Sequence, residues 1–233
     1  VSTSRGAARL TLQVVATHVL ARARFAADGR FGLRVTPTGI GTPPYGPEGH
    51  VLRLVGATLV HEVRQGDATR SRTQALSGHS LRELAAFADV DLTMPFEAGA
   101  QTPEIGDPDA ELSLPADAAT EILAWFHLGA QALDRILPSL DEPSVVQLWP
   151  EHFDLGIDAA TSQGRVNLGA SPGDAFHADP YLYVGPWESV RPGDRDYWNA
   201  PFGAVLGQAA VLTASDPVDA AASFLRRGLA LLG

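Results

Sequence analysis

Residues 147–187 read QLWPEHFDLGIDAATSQGRVNLGASPGDAFHADPYLYVGPW, and how this stretch folds decides the class of the whole chain. Its opening, with Val145 and Val146 before it, alternates with period two up to Asp158, which predicts a strand. Val145, Trp149, Phe153, Leu155 and Ile157 fall on one face with Glu151 among them. The opposite face carries His152, Asp154 and Asp158, so an unbroken strand sets His152 and Asp154 side by side, ~7 Å apart. Pro150 lacks an N–H and makes this an edge strand or a bulged one. Arg165 to Ala170 reads as a second strand. Ser171-Pro172-Gly173-Asp174 has Pro and Gly where a type II turn requires them. Tyr181 to Trp187 reads as a third strand, with Tyr181, Tyr183 and Trp187 on one side and a gap at Gly185. Short turns between neighbouring strands make the sheet antiparallel.

Working outward, the pattern repeats more loosely. Residues 7–27 favour a helix with an apolar stripe at Leu12, Val15 and Val19. Phe31 to Thr36 alternates as a strand, and His50 to Val63 reads as one long strand bent at Gly56. Thr36 to Gly49 is a loop, and Arg64 to Gly78 is polar and turn-like. Ser80-Leu81-Arg82-Glu83 matches a capping box, with a helix running to about Ala88. Asp117 to Leu137 carries the strongest helical periodicity and stops at Pro138. Val205 to Leu212 fits a strand or a short helix. Asp216-Pro217 is an N-cap with Pro at the first helical position, opening a helix to the C-terminus. The expected fold class is α+β: mainly antiparallel sheet packed with about four helices. The two halves echo each other, residues 1–95 and 116–233, with 96–115 a Pro-rich linker or a long loop within a single domain.

Composition excludes several functions. The chain has 233 residues, 17 basic and 27 acidic side chains and a net charge of −10. Nucleic acid and anionic membrane surfaces both call for a cationic footprint, so neither is an expected partner. Every basic side chain is Arg, which removes a Walker lysine and a Schiff base. There is no Cys, hence no disulfide and no thiolate chemistry, as suits a cytoplasmic protein. Arg5 and Arg9 ahead of Val14–Leu20 are arranged like a signal peptide, but Gln13, Thr17 and His18 interrupt the apolar run and favour an ordinary helix. Gly169-Ala170-Ser171-Pro172-Gly173 spells G-x-S-x-G, yet the residue after the serine is Pro172, which has no N–H for an oxyanion hole. Gly39-Ile40-Gly41 lacks both the third glycine and the helix of a dinucleotide loop.

His152-Phe153-Asp154 and His177-Ala178-Asp179 remain as candidates for chemistry. His152 suits acid/base work with Asp154 orienting it. Glu151, Asp174, Asp179, Tyr181, Tyr183 and Trp187 are candidate walls of an aromatic cleft for a small molecule. His152, Asp154, His177 and Asp179 together form a weaker divalent-metal set, and no cofactor is otherwise expected. His61, His79 and His127 have no partner at useful spacing and read as surface residues. The alternatives to a small-molecule enzyme or binding protein are a metal-dependent hydrolase and a non-catalytic interaction protein using Tyr197 and Trp198.

Trp149-Pro150-Glu151-His152-Phe153-Asp154, Ser171-Pro172-Gly173-Asp174 and Asp179-Pro180-Tyr181-Leu182-Tyr183-Val184, in this order, resemble a bacterial domain family of unknown function. The similarity continues through Tyr197, Phe202-Gly203 and the closing helix, and more faintly over Val51–Val63 and Ser80. The resemblance implies an acidic residue before the Pro-Tyr pair, met by Asp179. It does not imply a His at position 177, and it brings no activity, substrate or cofactor. An Ala-rich chain with Arg in place of Lys is the composition of a high-GC bacterium.

Overall fold

A computed structural model describes residues 4–66 and 68–233. Residues 1–3 of the N-terminal half and Asp67 of the polar segment lie outside them. The class is α+β: two five-stranded antiparallel sheets, each with its strands in sequence order, accompany helices at the start, middle and end of the chain. No described helix is long and apolar enough to cross a membrane. The chain divides into two compact units. The first holds residues 1–124 and 148–153, the second 125–147 and 154–233. The dividing line therefore falls within a helix and within a strand, and the Pro-rich segment 96–115 belongs to the first unit.

The first unit opens with α1 (Ser4–Val15), a π-helical segment (Ala16–Ala21) and α2 (Arg22–Asp28) in one continuous run. The Gly29 amide ends it, donating to the Phe25 carbonyl at 2.8 Å with φ +67°. The sheet follows as β1 (Arg34–Thr36), β2 (Gly39–Gly41), β3 (Val51–Val55), β4 (Thr58–Gln65) and β5 (Ala68–Ala75). Four strands differ from the sequence reading. β2 lies in the expected loop, where Gly39 and Gly41 let β2 approach the β3 carbonyls: a Cβ at Gly39 would sit 1.9 Å from the Leu54 oxygen. Gly56 does not bend one strand but turns the chain back, pairing Val55 with Thr58. β5 occupies the polar segment and is exposed along nearly its whole length, so it lacks the apolar alternation that marks a strand. α3 (Leu81–Phe87) starts at the expected capping box, with Ser80 Oγ accepting from Glu83 N and the Glu83 carboxylate accepting from Ser80 N at 2.7 Å. Leu12, Val19, Leu20, Ile40, Leu52, Leu54, Leu59 and Leu81 make its core.

The long helix α4 (Ala116–Ile136) precedes β6 (Gln147–Trp149), β7 (Asp154–Thr161), β8 (Gly164–Ser171), β9 (Tyr181–Pro186) and β10 (Ala204–Gly207). In the second unit α4 lies close on β8. Trp125 Nε1 donates to the Ser171 carbonyl at 2.7 Å, and Gly129 faces Ala170 where a Cβ would come within 2.6 Å. The segment 205–212 is both of its expected forms, strand then helix α5 (Gln208–Leu212). α6 (Pro217–Leu232) begins as expected, Asp216 Oδ1 accepting from Asp219 N at 2.9 Å.

Candidate functional site

The expected strand through Val145–Asp158 is broken. β6 ends at Trp149, β7 begins at Asp154, and residues 150–153 form a turn closed by Phe153 N donating to the Trp149 carbonyl at 2.8 Å. Pro150 ends the ladder, and Phe153 then takes φ +53° while wholly buried. A bulky aromatic residue in the left-handed region costs on the order of 1–2 kcal/mol, and such strain persists only where the surroundings impose it. Two helix side chains do so here. Gln13 Nε2 donates to the Glu151 carbonyl at 2.7 Å, and Thr17 Oγ1 donates to the Pro150 carbonyl at 3.0 Å.

The turn separates its two ionisable side chains by depth. Glu151 is buried at 6% exposure, whereas the His152 side chain is 48% exposed. His152 Nε2 stands 4.0 Å from Glu151 Oε1. His152 Nδ1 lies 3.2 Å from Gln101 Oε1, an oxygen that only accepts, so Nδ1 bears a proton, and Nε2 is the nitrogen on the Glu151 side. Residue 99 closes over the carboxylate: a Cβ at Gly99 would be 3.5 Å from Glu151 Cγ. The burial of Glu151 expected from alternation is thus present, but in a turn rather than on a sheet face.

The segment that covers Glu151 is itself fastened to the first helical run. Arg22, buried, donates from Nη1 to the Leu92 and Met94 carbonyls at 2.8 and 3.1 Å and stacks over the Phe96 ring. His18, also buried, sits 2.6 Å from the Pro103 carbonyl through Nε2. Since that carbonyl accepts, His18 Nδ1 is the bare nitrogen, with Arg22 Nη2 3.5 Å away. Burial lowers the His18 pKa, the Pro103 carbonyl opposes this and Arg22 adds to it. Thr17 and His18 both lie in the π-helical segment, a distortion that occurs often at functional sites because the extra residue per turn re-aims side chains.

The other expected site residues lie in the second unit. Tyr183 Oη donates to Asp154 Oδ2 and Tyr181 Oη to Asp174 Oδ2, each at 2.5 Å, and the two rings meet edge to face at 6.4 Å. Burial, then the adjacent carboxylate, pushes both phenols well above their usual range, so they stay protonated as donors. Asp174 Oδ1 receives the Phe176 and His177 amides at 2.8 and 3.0 Å; Gly173 has the expected positive φ, +101°, but the Asp174 amide donates to the His177 carbonyl at 2.8 Å rather than closing a turn on Ser171. His177 Nδ1 is 2.8 Å from the Asp179 carbonyl. Trp187, 62% exposed, donates to Asn167 Oδ1 at 2.9 Å. The structure therefore joins Asp154, Asp174, Tyr181 and Tyr183, ties His177 to Asp179, and holds Glu151 and His152 in the other unit. Asp154 accepts from Tyr183, and the ring nitrogens of His152 face Gln101 and Glu151. Among the described residues no group of three or more His, Asp or Glu side chains is placed to hold a metal ion.

Two further readings change. Tyr197 is buried, donating to the Phe224 carbonyl at 2.9 Å, and Trp198 packs against it; among the described residues of this unit the exposed aromatic ones are Phe176, Trp187 and Phe202. His61, read as a surface residue, is buried and lies 2.9 Å from His50. The signal for that meeting was Gly56: taken as a hairpin turn, it brings residues 50 and 61 to one face. No family model, no curated protein and no solved structure matches the chain.

Proposed function

We propose that this protein binds a small molecule at the Glu151–His152 turn and that His152 exchanges a proton with it. The observation carrying this reading is the pairing of a half-exposed imidazole with a sealed carboxylate on a turn strained at Phe153. Local strain of this kind tends to collect at functional positions. His152 Nδ1–H is held by Gln101, leaving Nε2 to accept or return a proton, and Glu151 is near enough to balance the imidazolium that forms. The segment 91–103, clasped by His18 and Arg22, forms the cover. The same turn carries part of the resemblance to the bacterial domain family, whose membership belongs to this proposal.

A ligand-observed NMR screen of small carboxylates, amines and phenols tests it. Hits should vanish with His152→Ala, and their affinity should fall about tenfold or more with Glu151→Gln while the amide spectrum is unchanged. Hits that bind the His152→Ala protein as well as the wild type overturn the reading. A second reading, a protein-interaction surface on the second unit, is favoured by the exposed contact of Phe176 with Phe202, ring centroids 5.1 Å apart. Light scattering with Phe176→Ser tests that.

A further inference from the structure

Two imidazoles meet in the first unit, away from the Glu151–His152 turn. The β3–β4 hairpin pairs Val51 with Glu62 and Leu52 with His61, which sets His50 diagonally from His61 on one face. His50 Nδ1 lies 2.9 Å from His61 Nε2. On β5, Arg72 pairs in register with His61 and points Nη2 and Nε at His61 Nδ1, at 2.9 and 3.3 Å. Arg72 Nη2 also donates to Asp89 Oδ2 at 2.7 Å, and the guanidinium lies over the Phe87 ring. At the far end His50 Nε2 is 3.2 Å from Glu48 Oε2, and Tyr45 stacks on the His50 ring. His61 is 1% exposed, whereas the Glu48 and Asp89 side chains are each 68% exposed. The chain of contacts thus runs from one surface carboxylate to another through a buried ring.

One residue fixes its direction. A guanidinium donates and never accepts, so His61 Nδ1 must be bare. A neutral ring then carries its proton on Nε2, which donates to His50 Nδ1. His50 in turn is protonated on Nε2 and donates to Glu48. Each bond between Arg72 and Glu48 points toward Glu48, the Arg72 bond to Asp89 points the other way, and both rings are neutral.

We propose that His50 and His61 form one proton-binding site, a relay that takes up a single proton at its Asp89 end and displays the charge at its Glu48 end. A proton from solvent, or from an acidic group presented beside Asp89, forms an N–H bond at His61 Nδ1. Asp89 Oδ2, 3.9 Å from that nitrogen, receives it as Arg72 withdraws onto Asp89 and Phe87. The proton on His61 Nε2 passes along the existing bond to His50 Nδ1. His50 is left as the imidazolium, doubly donating, with Glu48 as counter-charge. One proton has entered, one has moved between rings, and the polarity of the relay has reversed. The groups facing the pair are Glu48 and Tyr45 from the turn, Arg72 from β5, and Asp89 with the Phe87 carbonyl from the end of α3. Burial, Arg72 and His50 lower the His61 pKa, while Asp89 and the Phe87 carbonyl favour its charged form. Asp89 holds φ +59°, a conformation Asp tolerates better than most residues.

Long-range proton–nitrogen correlation spectra of the nitrogen-15-labelled chain between pH 8 and 5 read this directly. At pH 8 both rings should show the Nε2–H tautomer. On acidification His50 and His61 should shift at one common midpoint, with one proton taken up between them and His61 moving to Nδ1–H. Glu48→Gln and Asp89→Asn, both at exposed positions, should each lower that common midpoint by about half a pH unit. Two independent midpoints, an Nδ1–H ring at pH 8, or a Glu48→Gln chain in which His50 shifts and His61 does not would each overturn the proposal.

Discussion

The two units share a plan and differ in what they bury. Each runs from helix through sequential strands to helix. Yet among the described residues the buried polar or charged ones Gln13, Thr17, His18, Arg22, Thr36, Thr42, His61, Ser80 and Glu151 all lie in the first unit, against Ser171 alone in the second. The second unit instead places phenols against carboxylates, Tyr183 on Asp154 and Tyr181 on Asp174. A phenol donates in one protonation state across the whole neutral range, because burial and the carboxylate push its loss of a proton upward. The first unit's interior depends on imidazoles that must stay neutral to keep their acceptor nitrogens bare. One topology thus holds a polar interior that is sensitive to protons and another that is not built on them.

The strongest way to break this contrast is at Arg22. Its guanidinium satisfies the Leu92 and Met94 carbonyls from a buried position. Arg22→Ala should cost on the order of 3 kcal/mol, since charged hydrogen bonds and ring packing are lost together. Urea unfolding measures it, and new proteolytic cuts within 91–103 should accompany it. Acid comes next. His18 and His61 are both lowered by burial, so in the unfolded chain they bind protons more readily than in the folded one. Their contribution is fully present above the unfolded value of about 6.5 and is lost as pH falls below it, at up to ~1.4 kcal/mol per pH unit for each ring. Hydrogen exchange should show first-unit amides opening as pH drops from 7 to 5, ahead of those around Tyr181 and Tyr183. If both units lose protection together, the contrast fails. Tyr183→Phe is smaller, about 1–1.5 kcal/mol by urea unfolding, because one phenol–carboxylate bond is removed and the ring stays.

How much of this was legible in the sequence depends on whether the signal was local. Ser80-x-x-Glu83 and Asp216-Pro217 announce their helices because a cap is satisfied within one turn of chain. The α+β class followed from strands separated by short turns. β5 was not legible: Ala68–Ala75 is an exposed edge strand without an apolar face, and its register with β4 comes from pairing rather than pattern. Glu151 and His152 were picked out by residue type, but their geometry was not, because Pro150 and Phe153 convert the expected strand into a turn. The imidazole relay was hidden for a related reason. His50, His61 and Arg72 come from three segments, and only the hairpin register brings them into line.

The smallest effect discriminates most finely, because its sign differs between the units. Asp89 in the first unit and Glu142 in the second are both exposed acidic residues at positive φ, +59° and +42°. Glycine relieves left-handed strain but adds freedom to the unfolded chain, so the net gain at an idle position is about 0.5 kcal/mol. Glu142→Gly should show that gain. It keeps the backbone carbonyl that receives Arg165 Nη2 at 3.1 Å and gives up only a 3.9 Å ion pair. Asp89→Gly gains less from strain relief, since Asp already tolerates this conformation, and loses the 2.7 Å bond to Arg72. It should therefore destabilise by a few tenths of a kcal/mol, about the worth of an exposed ion pair. Paired thermal melts at pH 8 read both. Equal stabilisation at the two sites would mean that Asp89 does no more for its unit than Glu142 does for the other, and that the Arg72 guanidinium holds its place on His61 without it.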